Sequence, residues 1–341
     1  MSVSSAPALA LGASFCDLLL IRRRSSRSLL RVVLESPIEA HGANLYKPTT
    51  EIPLACEVRG FEGMGAAALA AFQKYGFIVV KKGFGDVSVE AAKAELQAML
   101  VSENPRCESV YFEGSVHEQL SDTERSGGTD PLAAKLALGV TKFGKLPQLA
   151  AAQRQRLIRK FMGFTHQGHQ PLLNVARHRD LLSAVEQLLG GERPRLFQDM
   201  AMIKPPLGGR EKPFHQDHAY FSYPLETPIV GCWIALSPAT ELNGAMVVVP
   251  AGHKAGAIVH FKRRDYQICD TTANELPKAV VAMDAGDVLL FHSQLPHGTA
   301  TNHTDLHRWA LQYHYVGAGQ QPGDEQLRLA LFGEEGKGAT C

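Results

Sequence analysis

The sequence of 341 residues lacks several features that would assign it to a class of partner. Its 35 lysines and arginines balance 34 acidic residues, so no overall field would attract nucleic acid or an anionic membrane. The apolar stretch 8–21 is interrupted by Asp17 and falls short of the about 20 residues that span a bilayer. We therefore predict neither a nucleic-acid partner nor a membrane partner.

Cysteine pairs are also missing, since the six cysteines form no CxxC motif and no closely spaced pair. Neither a zinc knuckle nor a disulfide framework is predicted, which favours a reducing compartment such as the cytoplasm. Residues 1–45 differ from the rest because they are rich in Ser and Arg and poor in acids. That composition is typical of an organelle transit peptide, or of a disordered or wrongly assigned start.

The remaining composition, 45% apolar and 20% charged, is that of a globular protein with a sizeable core. We predict one domain over residues 46–318, with a helical front at 60–192, a β-rich core at 193–318 and a tail at 319–341. Apolar periodicity predicts helices at 65–75, 88–101 and 172–189, with Ser88 as an N-cap, and a short buried strand at 77–80. The stretch 102–150 is predicted to be an exposed insertion, either a lid over a site or a tolerated loop.

Beyond Arg193, short β-branched and aromatic segments alternate with turn signals such as Asn243-Gly244. This pattern predicts a sandwich or barrel, and a jelly roll is the version that can hold a single metal ion. The fold class is therefore mainly β (α+β), with helices flanking the N-terminal side. The candidate strands are 196–204, 229–236, 245–249, 280–283, 287–291 and 309–316.

The strongest chemical signal is His215-Gln216-Asp217 together with His297, which follows the candidate strand 287–291. On a strand, residues i and i+2 share a face, so His215 and Asp217 are predicted to point into the barrel together. Two imidazoles and one carboxylate are typical of non-heme Fe(II) sites that keep positions open for other ligands. Arg308 offers a fork that pairs with a carboxylate such as that of 2-oxoglutarate, and Thr299 offers a hydroxyl.

Taken together, these blocks resemble the phytanoyl-CoA dioxygenase family of Fe(II)- and 2-oxoglutarate-dependent oxygenases. The resemblance runs over about residues 196–316 and rests on these segments in the order of the family: 200–206, 215–217, 232–236, 243–254, 286–299 and Arg308. It implies a double-stranded β-helix, the cupin-like jelly roll, with Fe(II), 2-oxoglutarate and O2 as reactants.

By this resemblance His215, Asp217 and His297 bind iron and carry the catalysis, and Arg308 with Thr299 anchors 2-oxoglutarate. Further positions near the co-substrate are Trp233, Met200 and Gln198. Halogenating relatives lack the carboxylate of the triad, so Asp217 favours hydroxylation. His314 has the strand parity of Arg308 and is predicted to lie near the cavity.

The expected reaction is hydroxylation of a small-molecule substrate at a C–H bond, with release of succinate and CO2. Two alternatives remain open at this level: a cupin-like isomerase or hydrolase that uses Zn(II) or Mn(II), and a non-catalytic jelly roll that binds a ligand. The run Lys262-Arg263-Arg264 is either a contact for an anionic substrate such as an acyl-CoA phosphate or a solvated loop. We expect a monomer or a weak homo-oligomer.

Overall fold

The computed structural model describes residues 45–113, 140–142 and 150–333. The predicted N-terminal extension 1–45 lies almost entirely outside these residues, as do most of the 102–150 insertion and the end of the tail. The division of the chain into one domain with two extensions therefore stays a prediction.

Most of the α-helices lie in the N-terminal half of the described chain, and the others lie nearer its end. None of the helices in the described ranges is long and apolar enough to cross a membrane. The α-helices are α1 (Ala66–Tyr75), α2 (Asp86–Val101), α3 (Ala151–Leu157), α4 (Gln170–Ala176), α5 (Arg179–Leu188), α6 (Asp270–Glu275) and α7 (Glu325–Phe332).

Strands dominate the second half, as the alternation of short apolar segments with turns predicts. They are β1 (Glu57–Arg59), β2 (Phe77–Lys81), β3 (Ser109–Phe112), β4 (Val140–Lys142), β5 (Ile158–Met162), β6 (Pro194–Lys204), β7 (Lys212–His215), β8 (Ile229–Ala235), β9 (Met246–Val248), β10 (His260–Lys262), β11 (Tyr266–Ile268), β12 (Ala279–Val281), β13 (Val288–His292), β14 (His297–Thr299) and β15 (Arg308–Gly317). Each of the six strands predicted beyond Arg193 is confirmed within two residues at either end.

The described strands form open sheets rather than a closed barrel. The large sheet has nine strands in the order β1-β2-β13-β8-β15-β6-β5-β3-β4, and a smaller sheet has the order β12-β9-β14-β7. Strands β10 and β11 pair separately. All strand pairings of the described residues are antiparallel except that of β1 with β2. The chain therefore reverses direction between paired strands, through hairpins or longer connections.

The front of the chain joins the large sheet through β2. Helix α1 buries Ala68, Ala71 and Phe72 and ends at Gly76, whose φ of 84° is the left-handed conformation that glycine adopts readily. Strand β2 follows at once and pairs with β13 from Val80↔Val288 to Phe77↔Phe291. The predicted helix and strand at 65–80 are confirmed.

Two helix predictions are wrong in detail. Helix α2 begins at Asp86 with Gly85 as its N-cap, and the backbone N–H of Ser88 already donates to Gly85 within the first turn. The predicted helix 172–189 is broken into α4 and α5 at His178, which has an extended backbone. The imidazole of His178 packs against Phe84 with ring centroids 5.1 Å apart, a tertiary contact that helical periodicity does not register.

The predicted helical front also contains strands that sequence analysis missed. Strands β3, β4 and β5 extend the large sheet beyond β6, with Phe161 facing Ala201 and Met162 facing Met200. Strand β5 reads Ile-Arg-Lys-Phe-Met, and its two adjacent charges conceal the alternation that marks a strand. Residues of β3 and β5 line the cavity described below.

The main hydrophobic core joins the helices to one side of the large sheet. It includes Phe77, Phe161, Phe291 and Leu311, each at most 1% exposed. The same core contains Trp233 on β8, at the base of the cavity. Burial of so much apolar surface in one core fixes the positions of the strands that carry the polar residues of the site.

Candidate metal centre

His215 and His297 are brought together by the pairing of two short strands. Antiparallel β7 and β14 place the two residues directly opposite each other in register. Their imidazole centroids are 4.3 Å apart, and both side chains are buried. The pairing closes the long sequence separation between the two histidines, as the sequence analysis expected.

Asp217 reaches the same point by another route from the one predicted. Strand β7 ends at His215, and Asp217 opens a 3-10 turn, Asp217–Tyr220, instead of continuing the strand. The turn is fixed because the backbone N–H of His218 donates to Ser293 O at 2.9 Å. Gln216 between them still has an extended backbone, so the i, i+2 argument holds locally and the two side chains converge, although the strand itself ends before Asp217.

The donor atoms of these three residues are spaced as a small cation requires. Asp217 Oδ1 lies 3.2 Å from His215 Nε2 and 3.6 Å from His297 Nε2. Adjacent ligands of an octahedral ion with bonds of about 2.1 Å are about 3 Å apart. One donor atom from each residue lies within 4.8 Å of the others, so the three have the geometry to hold a metal ion.

The protonation states also suit a metal. His215 Nδ1 donates to Pro213 O at 2.8 Å and His297 Nδ1 donates to Leu295 O at 2.9 Å. Both bonds assign the proton to Nδ1 and leave the Nε2 lone pairs directed at Asp217 Oδ1. Burial lowers the pKa of His297 to about 4, which keeps this imidazole neutral at neutral pH.

The second oxygen of Asp217 is held from the central strand of the large sheet. Oδ2 accepts from His314 Nε2 at 2.8 Å and from Gln312 Nε2 at 3.1 Å. Burial opposes ionisation of Asp217, but the neighbouring imidazoles of His297, His314 and His215 outweigh it and hold its pKa well below the usual range. His314 lies beside the cavity as a hydrogen-bond partner of Asp217 and does not line it. Gln312 was missed, although it shares the strand parity of His314.

The other histidines within the described ranges do not join this group. His218 is buried with Nδ1 bonded to Ser293 Oγ and Nε2 to Tyr223 O, and His169 pairs with Glu95 at 2.6 Å. His292 contacts the rings of Phe72 and His253. These contacts give His218, His169 and His292 structural roles.

Arg308 begins β15 on the same face as Gln312 and His314 and is 2% exposed. Its Nη1 makes a long bond of 3.4 Å to Met202 O, its guanidinium lies 5.2 Å from the Trp233 ring centre, and its Nε has no partner among the described residues. Burial lowers the pKa of Arg308 to about 9. A buried guanidinium with so few partners fits an anionic ligand that would supply the missing acceptor.

Arg308 and the three candidate metal ligands share one cavity of about 360 Å³. Thr299, Trp233, Met200 and Gln198 line it too, so the structure brings every predicted site residue to this cavity. We call the part formed by His215, Asp217, His297, Thr299 and Arg308 the inner end.

An outer end of the same cavity was not anticipated from the sequence. It carries these side chains: Tyr111, Glu113, Arg159, Lys160, Arg210, Lys212 and Asp265. Burial and the charges of Arg159 and Lys212 lower the pKa of Lys160 to about 7. The outer end was missed because β3 and β5 were not predicted, and a strand pairing is what brings their residues to the cavity.

The basic run 262–264 is less available than its sequence indicates. Arg264 binds Asp270 through both terminal nitrogens, at 2.5 and 2.9 Å, and Glu211 through Nε at 2.5 Å. Hydrogen bonds to these carboxylates raise the pKa of Arg264 further above its ordinary value. Its charge is thus satisfied within the protein, and a role for Arg264 in binding an acyl-CoA phosphate gains no support.

The family model for phytanoyl-CoA dioxygenase matches residues 72–310, which is more than half of the chain and contains His215, Asp217, His297 and Arg308. The chain belongs to the phytanoyl-CoA dioxygenase family. The resemblance seen in the sequence is thereby confirmed, and the predicted class of enzyme, an oxidoreductase of the 2-oxoglutarate-dependent dioxygenases, is the class of this family.

Several relatives in this family carry the same name. The phytanoyl-CoA dioxygenase of Arabidopsis thaliana is 26% identical over 72% of this chain and 86% of its own length. A probable phytanoyl-CoA dioxygenase of Caenorhabditis elegans is 30% identical over 42% of this chain, and the human peroxisomal enzyme is 27% identical over 54%. The matched parts span only 50% and 56% of these last two proteins.

Solved structures share the fold. The epimerase SnoN, in complex with Fe3+, alpha ketoglutarate and nogalamycin RO, superposes with a TM-score of 0.55 at 18% identity over 75% of this chain and 84% of SnoN. EctD from S. alaskensis, with 2-oxoglutarate and 5-hydroxyectoine, gives 0.52 at 20% identity over 77% and 80% of the two chains. At these identities the likeness concerns the fold alone, and the predicted jelly roll is confirmed.

Proposed function

We propose that the protein is an Fe(II)- and 2-oxoglutarate-dependent dioxygenase that hydroxylates a C–H bond of a small molecule and releases succinate and CO2. The observation that carries the proposal is the inner end, where two Nε2 atoms and one carboxylate oxygen converge beside a buried guanidinium short of acceptors. Family membership and the ligands named in the SnoN and EctD structures support it.

In this proposal His215, Asp217 and His297 hold the iron. The two backbone carbonyls that fix the imidazole tautomers, and the bonds from Gln312 and His314 to Asp217, hold the donor atoms in place before any metal arrives. When bound, iron supplies the activation of O2 that no amino-acid side chain provides.

Arg308 is assigned to the distal carboxylate of 2-oxoglutarate, with Thr299 as a second donor. The guanidinium suits a carboxylate because its planar fork matches two oxygens, and a buried pair of this kind is stronger than one in water. The ring of Trp233 forms one flat side of the Arg308 site, and Met200 and Gln198 contribute to the cavity wall. Trp233 and Met200 are buried, and such apolar groups would keep water from the space where the substrate C–H bond must lie.

Substrate-independent turnover gives the most direct test. We expect slow conversion of 2-oxoglutarate even without the second substrate. Succinate formation from 2-oxoglutarate is therefore measured on the purified chain with Fe(II), ascorbate and O2. We expect succinate with Fe(II) and none with Zn(II), and a weak visible absorption band when Fe(II) and 2-oxoglutarate are combined without O2.

The matched comparison is His215→Ala against His166→Ala, which removes a histidine outside the cavity. Full succinate formation by His215→Ala would contradict the metal assignment. Metal-dependent turnover of another kind without any use of 2-oxoglutarate would instead favour the cupin-like isomerase or hydrolase. Binding of metal and 2-oxoglutarate without turnover, with every candidate substrate, would favour the non-catalytic jelly roll.

A further inference from the structure

We propose that Arg159, with Arg210 beside it, forms a binding site at the outer end of the cavity for an oxyanion carried by the substrate, a carboxylate or a phosphate. The inference rests on the proposed function, because it takes Arg308 as the site of 2-oxoglutarate. It adds a chemical class to the substrate: an apolar or mixed body with an anionic group at the end remote from the oxidised carbon.

Arg159 is held in place as a preformed anion receptor. Its Nε donates to Phe112 O at 3.0 Å, and its guanidinium carbon lies 5.6 Å from the centre of the Tyr111 ring. Both contacts involve strand β3, the neighbour of β5 in the large sheet. They use one edge of the guanidinium and leave its two terminal nitrogens for a ligand with two oxygens.

Among the described residues, no carboxylate forms a close ion pair with Arg159. Glu113 acts on Arg159 electrostatically but also faces Arg210, whose Nε is 4.0 Å from Glu113 Oε2. One carboxylate thus serves two arginines. Asp265 is committed to Lys212 at 2.8 Å. The outer end therefore keeps a surplus of positive charge.

The charge balance of the inner end indicates that this surplus is not for 2-oxoglutarate. Arg308 and the iron with its one carboxylate ligand already neutralise a doubly charged co-substrate. Strand β6 lies between β15, which carries Arg308, and β5, which carries Arg159. Two strand spacings separate the backbones of the two arginines by about 10 Å, which leaves room for a second ligand.

Part of the cavity wall is apolar. Met162 on β5, Met202 on β6 and Phe221 after the 3-10 turn line the same cavity as the arginines and the candidate metal ligands. Methionine is unbranched and adapts to irregular apolar shapes. A substrate with an anionic group on Arg159 would thus place apolar atoms along this wall and a C–H bond near the metal.

The test uses simple probes on the protein loaded with Fe(II) and saturating 2-oxoglutarate in the absence of O2. Hexanoate and hexyl phosphate are titrated by calorimetry against 1-hexanol, which has the same apolar body without charge. We expect at least one anion to bind about tenfold or more tightly than the alcohol, and the tighter anion identifies the carboxylate or phosphate class. Arg159→Met should weaken that anion about tenfold to a hundredfold, the range for a charged hydrogen bond.

Three further variants distinguish recognition from damage to the fold. Arg156→Met removes an exposed arginine of α3 and should change nothing, whereas Arg159→Lys should recover part of the affinity. Glu113→Gln removes the competing carboxylate and should tighten anion binding several-fold, an effect that a damaged cavity would not produce.

The proposal is overturned if 1-hexanol binds as tightly as both anions, or if Arg159→Met retains the wild-type affinity for them. The affinity of 2-oxoglutarate, measured in the same titrations, should be unchanged in Arg159→Met. Failure of 2-oxoglutarate to bind the wild-type protein would count against the proposed function instead, and the two failures are thus separate.

Discussion

The two ends of the cavity contain similar kinds of residue but differ in how these residues are held. At the inner end both imidazoles are held by backbone carbonyls, and Asp217 Oδ2 is held by side chains of β15. At the outer end the side chains are partly exposed, and cations share carboxylates at up to 4.0 Å.

We attribute this difference to two requirements. The reaction needs metal ligands in fixed positions, whereas recognition of a substrate does not need groups held so firmly. Metal ligands must be oriented within narrow limits, so their tautomers are fixed by backbone groups that mutation of a side chain cannot remove. Recognition of a substrate tolerates looser positioning and can change with a few side chains. We therefore expect substitutions at the inner end to abolish chemistry and those at the outer end to change selectivity.

The largest expected effect comes from removing one of the three candidate metal ligands at the inner end. His297→Ala should reduce Fe(II) affinity and succinate formation by more than about a hundredfold, because one of the three donors is lost. Metal binding is measured by competition with a chelator. Arg210→Met at the outer end should leave metal affinity within about threefold, and an equal loss in both variants would contradict the division of the cavity.

Arg308→Met should weaken 2-oxoglutarate about tenfold to a hundredfold while leaving metal affinity nearly unchanged. Because Arg308 is buried with few acceptors, the variant without ligand should be at least as stable as the wild type. Thermal unfolding with and without 2-oxoglutarate checks both statements. A large loss of stability without 2-oxoglutarate would mean that Arg308 is paired within the protein.

Gln312→Leu is expected to lower Fe(II) affinity by about tenfold, since Asp217 Oδ2 would lose one of its two donors. The isosteric change keeps the packing of β15 nearly intact. Gln155→Leu, on the exposed face of α3, is the matched control. Equal metal affinity in wild type and Gln312→Leu would leave His314 as the sole support of Asp217.

The smallest predicted effect is a change in the pH dependence of stability. His260 Nε2 accepts from the N–H of Gln216, between two candidate ligands, and Nδ1 donates to Ile258 O, so this buried imidazole is neutral. Burial lowers its pKa to about 3 from an ordinary value near 6.5. Between these values the unfolded chain binds the extra proton, and the free energy of unfolding falls as the pH decreases below about 6.5.

His260→Gln should therefore reduce the slope of stability against pH by at most about 1.4 kcal/mol per pH unit between pH 4 and 6.5. Urea unfolding at several pH values measures it. The lowered pKa of His292, about 4, contributes to the slope over the same range and remains in the variant. An unchanged slope in His260→Gln would show that His260 is not protonated on unfolding.

Much of the inner end follows from local sequence. His215, Asp217 and His297 were identified from residue type and from the turn and strand signals around them, and Arg308 from its place at the start of a β segment. Gln312 could have been found, because it has the same strand parity as Arg308 and His314. Arg159 could not, since nothing near it in the sequence indicates a strand that reaches the cavity.

Residue type and periodicity by themselves predicted a β sandwich or barrel and a set of candidate donor residues, and the order of the motifs indicated the family, because these depend on short-range alternation and on which side chains bind metal or carboxylate. Only the tertiary structure decided that Asp217 stands on a turn, that His314 and Gln312 support it, and that β5 brings Arg159 to the same cavity. The physical reason is that strand pairing and buried hydrogen bonds join residues far apart in the chain, and local patterns carry no record of those partners.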